Sequence, residues 1–167
     1  MRILVVSASK HEATAEIADA IAQELAALGH TTRHEPAQSA DIGDAEVVVL
    51  GSAVYMSRWM AHAREFAERH AGELAVLPTW VFSVGLAGAE ADEPTTVEPK
   101  VVAAVDPVGT ATFPGRIEPE LLNLRERSVT RLVRAPQGDL RDWDAVRAFA
   151  RRIDAECTEH LAPGESR

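Results

Sequence analysis

The feature that most constrains the fold is an alternation between short apolar runs and segments with helical spacing. The run RILVV at residues 2–6 is rich in β-branched residues, which is typical of a strand buried on both faces of a sheet. Residues 14–28 then change to a period near 3.6, which predicts a helix with one apolar face formed by Ile17, Ile21, Leu25 and Leu28.

The same alternation continues to residue 161. Gly29 is predicted to cap the first helix, and Gly51 is predicted to stop the third strand. The further predicted strands are 31–35, 46–50, 79–84 and 108–113, and the further predicted helices are 58–71, 97–105 and 142–161. This order predicts one α/β domain over residues 1–161, with a five-stranded parallel sheet covered on both faces. Residues 114–140 are predicted to be an insertion with a helix at 119–133, and residues 162–167 a loose tail.

Composition excludes several classes of function. A net charge of −9 argues against a protein that neutralises nucleic-acid phosphates. The single cysteine, Cys157, rules out an intramolecular disulfide and a zinc–thiolate cluster. We expect a cytoplasmic protein because no apolar stretch approaches the ~20 residues that span a bilayer and no secretory signal is present. No residue spacing predicts a metal site or a nucleophile–histidine–acid set.

Three predicted strands end in loops whose residues carry chemistry. In an open parallel sheet, ligands bind outside the carboxyl ends of the strands, so we expect these loops to converge. They are residues 7–14, 51–59 and 83–88.

The first loop has the donors that a phosphate needs. It opens a helix, whose first backbone N–H groups are free, and it carries the hydroxyls of Ser9 and Thr14 beside Lys10 and His11. Neither G-x-G-x-x-G nor G-x-x-x-x-G-K-[ST] is present, so a single terminal phosphate fits better than a pyrophosphate or a nucleoside triphosphate. The alternative is a capped turn that binds nothing.

The second and third loops offer apolar and aromatic walls. Tyr55, Met56, Trp59 and Leu86, with the flexible Gly85, are suited to a flat conjugated ring. A phosphate at one end and a ring at the other describe a mononucleotide such as FMN. For Tyr55 and Trp59 the alternative is aromatic packing at the start of a helix.

The chain resembles flavodoxin-like proteins in its order of elements, its first loop and the stretch LGSAVYMSRW. FPGRIEPELLNL and GDLRDWDAVRAFA extend the resemblance to the group of menaquinone-dependent protoporphyrinogen dehydrogenases and flavodoxin-domain proteins. The resemblance implies a doubly wound sheet of order 2-1-3-4-5 and noncovalent FMN. It implies phosphate contacts from Ser9, Lys10, His11, Ala13 and Thr14, and ring contacts from Ser52, Ala53, Val54, Tyr55, Met56, Ser57, Val84, Gly85 and Leu86. The implied function is electron transfer or an FMN-dependent oxidoreductase activity, with a quinone, a porphyrinogen or another flavoprotein as redox partner.

Glu12 departs from the pattern of these proteins, which usually have glycine at this position. Glycine adopts backbone angles that glutamate avoids, and a carboxylate beside a phosphate is repulsive. Two alternatives follow: a flavodoxin-like module that has lost FMN and serves as an interaction or regulatory domain, or a binder of another phosphorylated ligand such as a deazaflavin.

The insertion carries a basic amphipathic stretch at residues 116–134. One interpretation is contact with a membrane surface or an anionic substrate. The other, which we favour, is a helix packed over the edge of the sheet.

Overall fold

Among the residues that the structure describes, five parallel strands, a short antiparallel strand and five helices build the main body. The structure is a computed structural model that describes residues 1–10, 12–55, 58–85, 97–117 and 138–161, without the side chains of 117 and 159–161. The strands are β1 (Arg2–Ala8), β2 (Thr31–Pro36), β3 (Val47–Tyr55), β4 (Arg58–Trp59), β5 (Thr79–Gly85), β6 (Gly109–Pro114), β7 (Arg116–Ile117) and β8 (Gly138–Asp139). The helices are α1 (Ala13–Ala27), α2 (Ala61–Arg69), α3 (Ala71–Leu74), α4 (Pro99–Val105) and α5 (Trp143–Leu161).

The main sheet has the order β2-β1-β3-β5-β6, and every neighbouring pair in it is parallel. Counting only the parallel strands, this is the expected order 2-1-3-4-5, so the predicted doubly wound α/β fold is confirmed. β4 pairs antiparallel with β3, and β7 with β8 forms a separate ribbon. The predicted helix at 119–133 and the tail at 162–167 lie outside the described residues.

Apolar side chains cover the two faces of the sheet in separate clusters. Alternate residues of the central strands contribute to each, because successive side chains of a strand point to opposite faces. One cluster joins the sheet to α1 and α5 through residues such as Ile21, Trp80 and Ile153. The other joins it to α2 and α4 through residues such as Phe66 and Val101.

The first helix follows its predicted pattern with one exception. Ile17, Ile21 and Leu25 are fully buried, whereas Leu28 is 41% exposed. The prediction for Leu28 is wrong because α1 ends at Ala27, which leaves Leu28 at the cap rather than on the buried face. Gly29 ends the helix as predicted, with a φ of +97° that favours glycine.

Gly51 does not stop the third strand as predicted. β3 continues through it to Tyr55, and Gly51 pairs with Ser7 on one side and Phe82 on the other. A Cβ at Gly51 would lie 2.0 Å from Cζ of Phe82, so the glycine is needed for close packing of this ring. A glycine after an apolar run therefore marked a packing contact here and not a strand end.

The second predicted helix, 58–71, is shorter in the structure. Residues 58–59 form β4, and α2 covers only Ala61–Arg69. Ala63, Phe66 and Ala67 are buried as predicted, Met60 packs against them just before the helix, and His70 is buried just after it.

We expect Gly51→Ala to lower the free energy of unfolding by about 1–3 kcal/mol, the usual cost of overpacking a core. The matched control is Gly72→Ala in α3, where an added Cβ meets nothing within 4 Å. Helix propensity predicts that this control is as stable as the wild type or up to ~1 kcal/mol more stable. Urea denaturation of both variants measures the difference, and equal stability of the two would contradict the packing role of Gly51.

Candidate functional site

The ends of the parallel strands bring the three predicted loops to one edge of the sheet. Ala8 pairs with Ser52, Ser52 with Ser83, and Ser83 with Thr112. The carboxyl ends of β1, β3 and β5 therefore lie at the same edge of the sheet, as expected for a ligand site outside the carboxyl ends of the strands.

The first loop buries a hydroxyl that has no partner among the described residues. Oγ of Ser9 is inaccessible to solvent and makes no hydrogen bond with any of the described residues. Thr14, in the first turn of α1, is buried, and Ala13 is buried beside it. A buried hydroxyl without a partner is costly, and here it lies just before a helix N-terminus whose first N–H groups have no acceptor within the helix. These donors fit a phosphate group. His11 lies outside the described residues.

Glu12 has the left-handed backbone conformation that glycine favours, with φ 61° and ψ −26°. Its side chain is exposed and makes no capping hydrogen bond to α1. The Glu12 carboxylate therefore does not take up the N–H groups of the first turn, and the loop keeps its donors. Glycine adopts this conformation without strain, whereas glutamate does not.

We expect Glu12→Gly to stabilise the ligand-free protein by about 0.5–1 kcal/mol, because relief of the left-handed strain exceeds the entropy that glycine adds to the unfolded chain. Glu12→Ala is the control, since it removes the carboxylate and keeps the Cβ. Chemical denaturation compares the three proteins. Stabilisation of the alanine variant to the same extent would assign the effect to charge and not to backbone strain.

The second loop is an antiparallel hairpin formed by β3 and β4. Val54 pairs with Trp59 and Tyr55 with Arg58, so the hairpin projects beyond the level of the other strands. Tyr55 is 37% exposed, and Nζ of Lys10 lies 4.8 Å from the centroid of its ring. This contact brings the first loop and the second loop together. Met56 and Ser57 lie outside the described residues.

Two residues of the second loop have internal partners. The hydroxyl of Ser52 donates to the carbonyl of Ala53 and accepts the N–H of Met60, both at 2.9 Å. The indole N–H of Trp59 donates to Oγ of Ser83 at 2.9 Å, and both side chains are buried. For Trp59, the structure supports the packing alternative.

Glu98 is a residue of this region that sequence reasoning missed. Its side chain is 12% exposed, and Oε2 accepts the backbone N–H of Trp59 at 3.3 Å. Arg58 and Arg64 lie at ion-pair distance from the same carboxylate, 3.7 Å and 3.6 Å away. No local pattern indicates this role, because Glu98 lies 39 residues from the backbone group that it holds.

The third loop is described only where it leaves β5. Val84 and Gly85 are buried, and the carbonyl of Gly85 accepts the N–H of Gly115 at 2.8 Å. Ala53, the predicted ring neighbour in β3, pairs directly with Val84. Leu86 lies outside the described residues.

Charged side chains join the ends of the insertion to α1. Glu16, in the first turn of α1, forms ion pairs with Arg116 and Arg141. Arg141 also makes a two-pronged contact with Asp139, at 2.7 Å and 2.6 Å, and its guanidinium lies 4.5 Å from the ring of Trp143. Hydrogen bonds from Arg141 lower the pKa of Asp139 from 3.8 to about 2.

This pKa predicts a pH-dependent contribution to stability. A carboxylate whose pKa is lower in the folded state stabilises the protein above its unfolded pKa, and the contribution is lost as the pH falls toward 2. We therefore expect the melting temperature of Asp139→Asn to fall less steeply than that of the wild type between about pH 4 and pH 2. Calorimetry gives the two slopes, and equal slopes would contradict the assignment.

Ser7, His34 and Asp19 form a hydrogen-bonded chain that the sequence analysis did not expect. Ser7 Oγ lies 2.8 Å from Nε2 of His34, and Nδ1 of His34 lies 2.6 Å from Oδ1 of Asp19. Ser7 is only 3% exposed within β1, so its hydroxyl has no access to a substrate. The chain of bonds connects β1, the edge strand β2 and α1.

Within the described ranges, no three or more His, Cys, Asp or Glu side chains come together in a way that could hold a metal ion. The described helices also include none with the length and apolar character required to cross a bilayer. Cys157 packs in the core, as predicted, and burial raises the pKa of its thiol to about 11.

The fold and the site define a doubly wound α/β protein of the flavodoxin type. A family model described as "Flavodoxin domain" matches residues 4–144. The chain therefore belongs to the flavodoxin-domain family.

Solved structures show the same fold at low sequence identity. A flavodoxin from Streptococcus pneumonia TIGR4 has a TM-score of 0.61 and 18% identity, over 93% of this chain and 99% of that one. Flavodoxin 2 from Bacillus cereus has a TM-score of 0.60 and 17% identity, with the same coverage. Rubredoxin oxygen:oxidoreductase from Desulfovibrio gigas has a TM-score of 0.65 and 11% identity, and this chain spans only 37% of its length. No curated protein sequence matches the chain significantly.

Proposed function

We propose that this protein binds FMN noncovalently and transfers electrons through it. The observation that carries the proposal is the hydroxyl of Ser9 just before α1, which is buried and has no hydrogen-bond partner among the described residues. It provides a donor suited to the terminal phosphate of a mononucleotide, on the same edge of the sheet as the exposed Tyr55. Membership of the flavodoxin-domain family supports the same ligand.

The chain's own residues divide into two groups in this proposal. Backbone N–H groups of α1 and the side chains of Ser9, Lys10, His11 and Thr14 bind the phosphate, with Ala13 leaving room beside it. The ring lies between the second and third loops, against Ser52, Ala53, Val54, Tyr55, Met56 and Ser57 on one side and Val84, Gly85 and Leu86 on the other. Since Ser52 Oγ is occupied within its own loop, we assign its contact to the backbone. Bound FMN would supply the redox chemistry, and the protein would orient the ring and limit its contact with water.

The resemblance to menaquinone-dependent protoporphyrinogen dehydrogenases favours a two-electron partner such as a quinone or a porphyrinogen, and another flavoprotein fits the same chemistry. Contact of residues 116–134 with a membrane surface, at the inner face of the cytoplasmic membrane, stays a prediction. Residues 118–137 lie outside the described part of the chain.

The test is a titration of the purified protein with FMN and with riboflavin, which lacks the phosphate. We expect Ser9→Ala to weaken FMN binding about tenfold or more, the loss expected for one hydrogen bond to a charged group, and to leave riboflavin binding unchanged. Ser39→Ala is the matched control, because Ser39 is exposed and lies outside the site. If addition of the wild-type protein changes the spectrum of neither FMN nor riboflavin, the proposal is refuted.

A second candidate is a flavodoxin-like module that does not bind FMN, and the carboxylate of Glu12 near the phosphate donors is the observation that favours it. The same titration with Glu12→Gly separates the two. A weakened site responds with tighter FMN binding, whereas a lost site binds in neither form. The remaining alternative is a protein that binds another phosphorylated ligand. Displacement of FMN by a deazaflavin in a competition titration would favour it.

A further inference from the structure

The carboxylate of Glu98 lies among three groups from two elements, β4 and α2. It precedes α4, and its partners are the backbone of Trp59 and the guanidinium of Arg58 in β4, and the guanidinium of Arg64 in α2. Nε of Arg64 is buried and makes no hydrogen bond within the described residues. At 3.6 Å its contact with Glu98 is too long for a hydrogen bond but close enough for an ion pair.

Such an arrangement is costly to break. A largely buried carboxylate is tolerated only with partners, and removal of one partner leaves the others without compensation. Glu98 therefore holds Arg58, Arg64 and the backbone of the β3–β4 hairpin in one arrangement.

The position of Glu98 connects the second loop of the candidate site to the start of α4. The hairpin that it binds carries Tyr55, which pairs with Arg58. Along the chain, Glu98 lies just after the segment that follows β5, at the start of α4. One side chain thus joins the second loop to the start of α4.

We propose that Glu98 is a positioning residue that holds the Tyr55 hairpin in place against the flavin ring. The inference rests on the proposed function, and it concerns the ring end of the site alone. The contacts of Glu98 are with β4 and α2, whereas the residues assigned to the phosphate lie in the first loop.

The hairpin has further anchors besides this carboxylate. Trp59 keeps its own anchor in the buried hydrogen bond to Ser83, and Met60 keeps its bond to Ser52. Loss of Glu98 is therefore expected to alter the placement of Arg58 and Tyr55 while the two core clusters stay packed.

The experiment measures FMN and riboflavin binding by Glu98→Ala and Glu98→Gln, with Glu68→Gln as the matched control. Glu68 is an exposed carboxylate on α2, beside Arg64 in the groove between α2 and α4. We expect Glu98→Ala to weaken FMN and riboflavin by the same factor, about tenfold, because the phosphate contacts are intact. Glu98→Gln, whose amide oxygen still accepts the N–H of Trp59, should lose less, and Glu68→Gln should match the wild type.

A second readout is the access of iodide to the bound ring, which is measured by the quenching of flavin fluorescence. A displaced hairpin exposes the ring, so the quenching constant of bound flavin should rise in the alanine variant, an effect that a loss of overall stability alone does not produce. Circular dichroism of the ligand-free variants checks the fold, and Glu98→Gln carries the test if the alanine variant does not fold.

The outcomes separate the two proposals. If the wild type binds both flavins and the Glu98 variants show the same affinities and the same quenching constants, the positioning role is overturned and the FMN proposal stands. A loss confined to FMN also overturns it, because it would place the effect at the phosphate. Failure of the wild type to bind either flavin overturns both.

Discussion

The backbone ladders of the parallel sheet place Ala8 beside Ser52 and Ser52 beside Ser83, and the candidate site depends on that register. A shift of one residue in any of these strands would turn each of its side chains to the opposite face of the sheet. Ser83 would then no longer meet the indole of Trp59, and the ring of Phe82 would no longer lie against Gly51. The packing of the two apolar faces therefore also determines where the three loops meet.

The first loop combines donors for an anion with an acidic residue. Glu12 has a left-handed backbone conformation and an exposed side chain. In water, the repulsion between its carboxylate and a second negative charge at close range is only ~1 kcal/mol. The hydroxyl of Ser9, in contrast, is buried and has no partner among the described residues. The loop thus keeps a buried hydroxyl and unpaired helix N–H groups beside an exposed carboxylate.

Local signals predicted the elements well where one residue decides the backbone. Gly29 ends α1 with a positive φ, and Asp142 caps α5 by accepting the N–H of Ala145 at 2.9 Å. The prediction failed at Gly51 and at residues 58–59, where the β3–β4 hairpin replaces a strand end and a helix start. In both places contacts with β5 override the local preference: Phe82 packs on Gly51, and Ser83 binds the indole of Trp59.

The sequence by itself determined the alternation of strands and helices, the parallel sheet and the loops that reach one edge, because apolar periodicity and caps act over a few residues. It also identified Ser9, Thr14 and Tyr55 as candidate ligand contacts. Only the tertiary structure decided that Oγ of Ser9 is buried without a partner among the described residues, that Trp59 belongs to the core and that Glu98 accepts the backbone N–H of Trp59. These properties depend on groups far apart in the chain, which approach each other only when both faces of the sheet are packed.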